Sequence, residues 1–434
     1  MKFTSTRNQE LSVGFDSAVR NCAPADGGVY VPAGIEDFRR WIYYIDDKTP
    51  FTSVAGTLSS AFLNEEFSPI ICETIATSAF PFEPVVKKLD SNLFVMELFH
   101  GFTGCHRDFG LSYLCSYLET TNQLLGKKTV FLDYTSGELG ASLVKSLRGK
   151  KNLKAVLVYK KGSERGFVDS DCVWNGGNIY PVEMEGSEAA IKAEIKRLFD
   201  DKAFVESSGL TVANTTNVGR LMAQVFLFPY AFSRIKENVD NEIFYALDSG
   251  NYSTLIAGLY SWRFALPVSG FSVPATAALS TDLKGKPMIL DSIVDVSQRD
   301  SANPIEPANL ERIESFFGKN ALMMRNFVFP AEVSERKREE AAKELFRRYG
   351  FFADPNTARA YASIRRGKEG FIEDDASYVL VSYNHPSLSA DYCRHVLGEV
   401  PATPDYIQES LAPYELNRPL ISGAAQLRDI ISSL

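Results

Sequence analysis

From Leu93 onward, short apolar segments (TVFLD at 129–133, KAVLVY at 154–159, NIYPVEM at 178–184, NEIFYAL at 241–247) alternate with longer, differently patterned ones. In the longer segments, GLSYLCSYLETTNQLL, EAAIKAEIKRLF and NVGRLMAQVFLFPYAFSRI, apolar residues recur every three or four positions, the period of a helix with one buried face. Continuous apolar strands separated by amphipathic helices predict a mainly parallel, wound α/β sheet, because only helical crossovers return the chain to the same edge. A charged segment, VSERKREEAAKELFRRYG, is expected to be a helix with a solvated face, ended by Gly350. Residues 1–90 mix short apolar runs with Pro and Gly and lack this alternation, so a small, irregular N-terminal domain is expected there.

A chain of 434 residues is longer than one hydrophobic core usually serves, which predicts two wound lobes, at 91–240 and 241–434. With 45% hydrophobic and 23% charged residues it can bury such cores. Its 46 basic side chains against 54 acidic ones give a net charge of −8, and no basic block interrupts that balance, so nucleic acid is not an expected partner. The segment MKFTSTRNQELSVGF has no apolar core of the length a signal peptide needs, and no apolar run reaches membrane-spanning length, so a cytoplasmic protein is expected. Six scattered cysteines without C-x-x-C and four histidines without i,i+4 spacing predict buried thiols and no metal site.

Two strand candidates run into Ser-Gly turns that open helices: Tyr134-Thr135-Ser136-Gly137-Glu138 and Asp248-Ser249-Gly250-Asn251-Tyr252-Ser253-Thr254. The carboxyl ends of parallel strands face a ligand crevice, and the free N–H groups of a helix start attract anions. A phosphorylated small molecule fits both turns; so do plain caps and tight turns without a ligand. His106-Arg107-Asp108-Phe109-Gly110 overlaps two protein-kinase motifs, but kinases carry these on separate loops, and neither a G-x-S-x-G elbow nor a G-x-x-x-x-G-K-[ST] loop is present.

An ordered set of segments resembles the threonine synthase family, pyridoxal-phosphate (PLP) enzymes of fold type II. Ser5-Thr6-Arg7 resembles its S-T-R, GGVYVPAG its G-G-L-F-x-P, and ELFHG at 97–101 its E-L-F-H-G-P-T. ANTTNVGRLMAQ at 213–224, the stretch from 295 to 317, DPNTARAY at 354–361 and Asn384-His385-Pro386 continue the match in order. The resemblance implies the fold type II architecture, a PLP cofactor, and conversion of O-phosphohomoserine to threonine and phosphate. It assigns Ser5, Thr6, Arg7, Asn217 and Arg220 to substrate binding. Ser136, Gly137, Glu138, Gly250, Asn251, Tyr252, Ser253, Thr254 and Tyr383 fall on its cofactor positions.

The family's H-G-P-T-x-A-F-K-D-F aligns its Schiff-base lysine with Arg107. A delocalised guanidinium with a pKa above ~12 is not a nucleophilic amine. Other cofactor-facing elements change with it: Glu138-Leu139 within T-S-G-D/N-T-G, Ser253 for a glycine of G-N-F-G-D/N, Tyr383 for the threonine of T-A-H-P, and Gly162-Ser163-Glu164-Arg165-Gly166 for G-K-x-S-P. The expectation is a relative without aldimine chemistry that keeps an anion or phosphoester site, with a phosphorylated metabolite, a homo-oligomer or a partner synthase as possible partners. Arg107 either contacts that ligand or pairs with Asp108 or Glu138. Two further readings stay open: an active synthase using Lys145 or Lys161 in place of the missing lysine, and a regulatory subunit of an active synthase.

Overall fold

The computed structural model describes the chain except residues 35, 164–165, 174–176, 283–285, 290–293, 319–320, 368–374 and 414–419. Glu164 and Arg165, read above as part of an altered cofactor segment, lie outside the described residues. Ten strands build two main sheets: β1 (Val85–Asp90), β2 (Leu93–Glu97), β3 (Thr129–Tyr134), β4 (Leu153–Lys160), β5 (Ile179–Met184), β6 (Leu210–Thr211), β7 (Ile243–Ala246), β8 (Gly270–Pro274), β9 (Val328–Ala331) and β10 (Ser377–Ser382). The larger sheet has the order β9-β8-β7-β10-β2-β1 and the smaller β5-β4-β3-β6. All neighbours run parallel except the β1–β2 pair. Two short antiparallel pairs, Phe3–Ser5 with Tyr30–Pro32 and Leu279–Thr281 with Pro287–Ile289, lie outside them.

The helices used below are α1 (Phe15–Asn21), α2 (Arg107–Leu125), α3 (Glu138–Leu147), α4 (Glu188–Asp200), α5 (Val218–Ala223), α6 (Ser253–Arg263) and α7 (Asp405–Leu411). In α4 the Ser187 hydroxyl accepts from the Ala190 N–H, and Ile191, Ile195, Leu198 and Phe199 form the buried stripe that the period predicts. Helix α2 is buried on nearly every side from Asp108 to Leu118 and stops at Gly126, whose φ of 64° suits a left-handed cap. The charged helix, Glu335–Tyr349, buries only Ala341, Ala342 and Leu345.

Residues 217–235, expected as one helix, are broken: α5 gives way to a single 3-10 turn at Gln224–Phe226 before Leu227–Ile235 begins. Pro229 explains the break. Without an N–H, and with its ring against the carbonyl four residues back, proline is tolerated only in a first helical turn, where Pro229 now sits.

The expected boundaries also shift. A division near residue 90 would cut the hairpin between β1 and β2, in which Val86 lies opposite Met96. Strand β2 belongs with β10, not with the smaller sheet of 129–211. The N-terminal segment is mainly helical, and Phe3, Phe15, Phe51 and Phe62 join the same apolar cluster as Tyr113, Tyr117, Phe226 and Val379. It covers the core shared by both sheets. All six cysteines are free and buried. Among the described residues, no helix is long and apolar enough to cross a membrane.

Candidate functional site

The carboxyl ends of β2, β10 and β7 in the larger sheet converge, and chain segments leaving them frame a cleft of about 250 Å³. β2 leads through residues 98–106 to Arg107 at the start of α2, β7 leads to Asp248–Thr254 at the start of α6, and β10 leads to Tyr383. The remaining wall comes from Thr215, Arg220 and Gln224, with Asn356 at the edge. This is where ligands of open parallel sheets bind.

The turn before α6 has the backbone of an anion cradle. Gly250 and Tyr252 have φ values of 43° and 62°. The Asn251 carboxamide oxygen accepts from the Ser253 N–H at 3.2 Å, and Tyr252, the residue before α6, makes no side-chain cap. The opening turn of an eleven-residue helix therefore points N–H groups and a partial positive charge at the cleft. Asn309 fixes the turn from behind, donating to Thr215 Oγ1 at 3.1 Å and to the Asn251 carbonyl at 2.9 Å. Fully buried Arg312 holds the adjoining Thr215 and Thr216 carbonyls at 2.7 and 2.8 Å.

Arg220 is 5% exposed and donates to the Ala213 carbonyl at 2.6 Å, while its buried Nε has no hydrogen-bond partner. Burial, reinforced by the nearby Arg107 charge, lowers its pKa to about 10, so it remains a cation. Helix α2 makes room for it: a Cβ at Gly110 would lie 2.9 Å from Arg220 Cγ. A buried cation with an unsatisfied donor, on a residue that lines the cleft, favours a negatively charged group there.

Arg107 pairs with Glu138, not with Asp108, and also donates to Cys105 Sγ at 3.4 Å. Asp108 is fully buried and instead accepts from the Thr103 N–H, the Thr103 hydroxyl and Ser142 Oγ at 2.8, 2.8 and 2.6 Å. Glu138 also accepts from Asn384 Nδ2 at 3.2 Å. His106 lies edge-on to Tyr383 and 3.3 Å from Asn384 Oδ1; burial, then the Arg107 charge, drives its pKa well down and keeps it neutral. The Tyr383 hydroxyl accepts from the Asp248 N–H at 3.0 Å, and the Asp248 carboxylate is clamped by Arg359 at 2.7 and 2.9 Å.

The expected site residues divide into three groups. Arg107, Arg220, Gly250, Asn251, Ser253, Thr254 and Tyr383 line the cleft. Arg7 and Tyr252 face a neighbouring cavity of about 340 Å³ across the same turn, which also touches Asn251. Arg7 is already engaged by Glu311, as Thr6 is, and Ser5 donates to Asp26 at 2.8 Å. Asn217 does not line the cleft; it caps α5 and ties it to the Val19 carbonyl at 2.9 Å. Ser136, Gly137 and Glu138 also lie outside the lining, Glu138 reaching its edge only through Arg107. Thr215, Gln224 and Asn356 were missed as wall residues, although all three stand inside segments that carry the resemblance.

Neither lysine considered as a substitute lines the cleft. Lys145 is buried and paired with Glu409 of α7, with Asp171 at 3.8 Å, and Lys161 pairs with Glu185 at 3.2 Å on the surface.

Strand-end cleft, helix-start cradle and flanking two-sheet framework define a pyridoxal-phosphate-type enzyme scaffold. The family model described as "Pyridoxal-phosphate dependent enzyme" matches residues 74–383, and the chain belongs to that family. Within it the chain is a member of the threonine synthase family. It is 27% identical to threonine synthase of Escherichia coli (strain K12), over 99% of both chains. It is 29% identical to that of Buchnera aphidicola subsp. Schizaphis graminum (strain Sg), over 83% of this chain and 84% of the relative. The fold also matches the crystal structure of PLP-bound threonine synthase from Brucella melitensis, with a TM-score of 0.81 and 19% identity over 100% and 99% of the two chains.

The family's cofactor can be tested against these residues. Its phosphate finds a suitable cradle at the start of α6. Its aldehyde finds no amine, because among the described residues no lysine lines the cleft and the nearest cation on α2 is a guanidinium.

Proposed function

We propose that this chain is a threonine synthase relative that no longer forms a covalent aldimine and instead holds a small phosphorylated or otherwise anionic metabolite in the strand-end cleft. The observation that carries the reading is Arg107, at the family's lysine position and paired with Glu138. Arginine supplies charge and hydrogen bonds but not a carbon–nitrogen bond or a mobile proton. The unpartnered Nε of Arg220 and the start of α6, whose preceding residue Tyr252 makes no side-chain cap, support retention of anion binding.

The test mixes the purified protein with PLP, records visible absorbance, reduces with borohydride and maps pyridoxyl-lysine by mass spectrometry. The expected result is no aldimine band and no adduct at any single lysine. An adduct concentrated on one pocket lysine, together with release of phosphate from O-phosphohomoserine, would sink the proposal and identify a working synthase.

A further inference from the structure

A second cavity, much larger than the cleft at about 1250 Å³, opens at the amino ends of the smaller sheet's strands, beside Thr129, Leu210 and α1. It lies at the opposite end of β3 from the Ser-Gly turn. Its lining contains six basic side chains and one acidic one, Glu206, in a chain whose net charge is −8. Two of the six are satisfied: Arg20 pairs with Asp16, and Lys154 donates to the Leu434 carbonyl. The ammonium groups of Lys127, Lys128, Lys151 and Lys202 are exposed and make no ion pair or hydrogen bond among the described residues. They come from three chain positions: the loop after α2, the loop before β4 and the residue that follows Asp201.

Four like charges at one opening repel one another, and focus an attractive field on an anion. Beneath them the lining mixes polar groups with apolar ones such as Leu210, Val205 and half-buried Phe204, one face of whose ring is covered by Arg428. An occupant therefore needs a flat or apolar body joined to a compact cluster of negative charge. A polyphosphate carries its charges on successive phosphorus atoms, whereas carboxylates on an extended peptide are spread at about 3.3 Å per residue. Lysine meets phosphate as a point charge without demanding one orientation. We propose that this cavity binds a nucleoside polyphosphate, its base against the Val205–Phe204 side and its phosphates among Lys127, Lys128, Lys151 and Lys202. The site is separate from the strand-end cleft and does not rest on how that cleft is used.

The experiment is calorimetric titration of the full chain with ATP, AMP, inorganic tripolyphosphate and a hexaglutamate peptide, at low and high salt. ATP is expected to bind more tightly than AMP or tripolyphosphate, since each lacks half of the recognition, and to weaken with salt. The double variant Lys128→Glu/Lys202→Glu should lose at least about tenfold in ATP affinity. Two controls, Lys161→Glu on a remote surface and Arg107→Ala in the cleft, should leave that affinity unchanged, and circular dichroism checks that each variant is folded. No ATP binding at millimolar concentration, an equal loss in Lys161→Glu, loss in Arg107→Ala alone, or tighter binding of hexaglutamate would each overturn the proposal.

Discussion

Asp133, inside β3, places a carboxyl group that is 1% exposed within reach of the Ala213 N–H at 2.5 Å and Asn214 Nδ2 at 2.8 Å. Burial outweighs these donors and pushes its pKa from 3.8 up to about 7. A carboxyl whose pKa rises on folding favours the neutral form, so its contribution is complete below the unfolded value of about 4 and is lost as pH climbs through about 7. Asp133→Asn cannot titrate. The stability of the parent relative to this variant, from urea denaturation, is therefore expected to fall between pH 5 and pH 8; a constant difference would show that Asp133 is charged throughout. Arg107 follows the opposite logic: its charge is permanent, so pH does not turn it into the amine that the family's chemistry needs.

Helix α5 shows how one side chain can join elements far apart in sequence. Asn217 accepts from the Gly219 N–H at 2.9 Å and donates to the Val19 carbonyl of α1 and to Thr211 of β6 at 2.9 and 3.1 Å. Asn217→Ala removes a cap and unties a buried carbonyl, and is expected to cost about 2–3 kcal/mol in chemical denaturation. A loss below about 0.5 kcal/mol would mean that water or Thr211 replaces the amide. The strands at 129, 153, 179 and 243 and the helix Glu188–Asp200 were legible because period and turn chemistry are local. The turn at 250–254 and the helix start that follows it were legible for the same reason. That Asn217 serves α1 instead of the cleft was not, since an N-cap and a ligand-binding asparagine look alike in one dimension. The lysines of the larger cavity were equally hidden, because three separate stretches must fold together before any basic cluster exists.

The two sheets and the N-terminal segment are joined by one apolar cluster, so the expected division at residue 90 has no energetic counterpart. Phe3, Phe15, Phe51 and Phe62 are each at most 1% exposed, and the Phe15 ring packs 5.3 Å from that of Tyr117 on α2. Burying such side chains is worth about 1.5–3 kcal/mol each. A fragment lacking residues 1–79 is expected to be insoluble or to melt without a cooperative transition, as followed by solubility and circular dichroism. A soluble, cooperatively melting fragment would show that the sheets possess a core of their own. Glu138 stands where this framework opens. It starts α3 behind the smaller sheet, yet grips Arg107 and Asn384, which follow β2 and β10 of the larger one. A glutamate reaches one methylene further than an aspartate, and that reach lets one side chain at the start of α3 span to segments that belong to the other sheet.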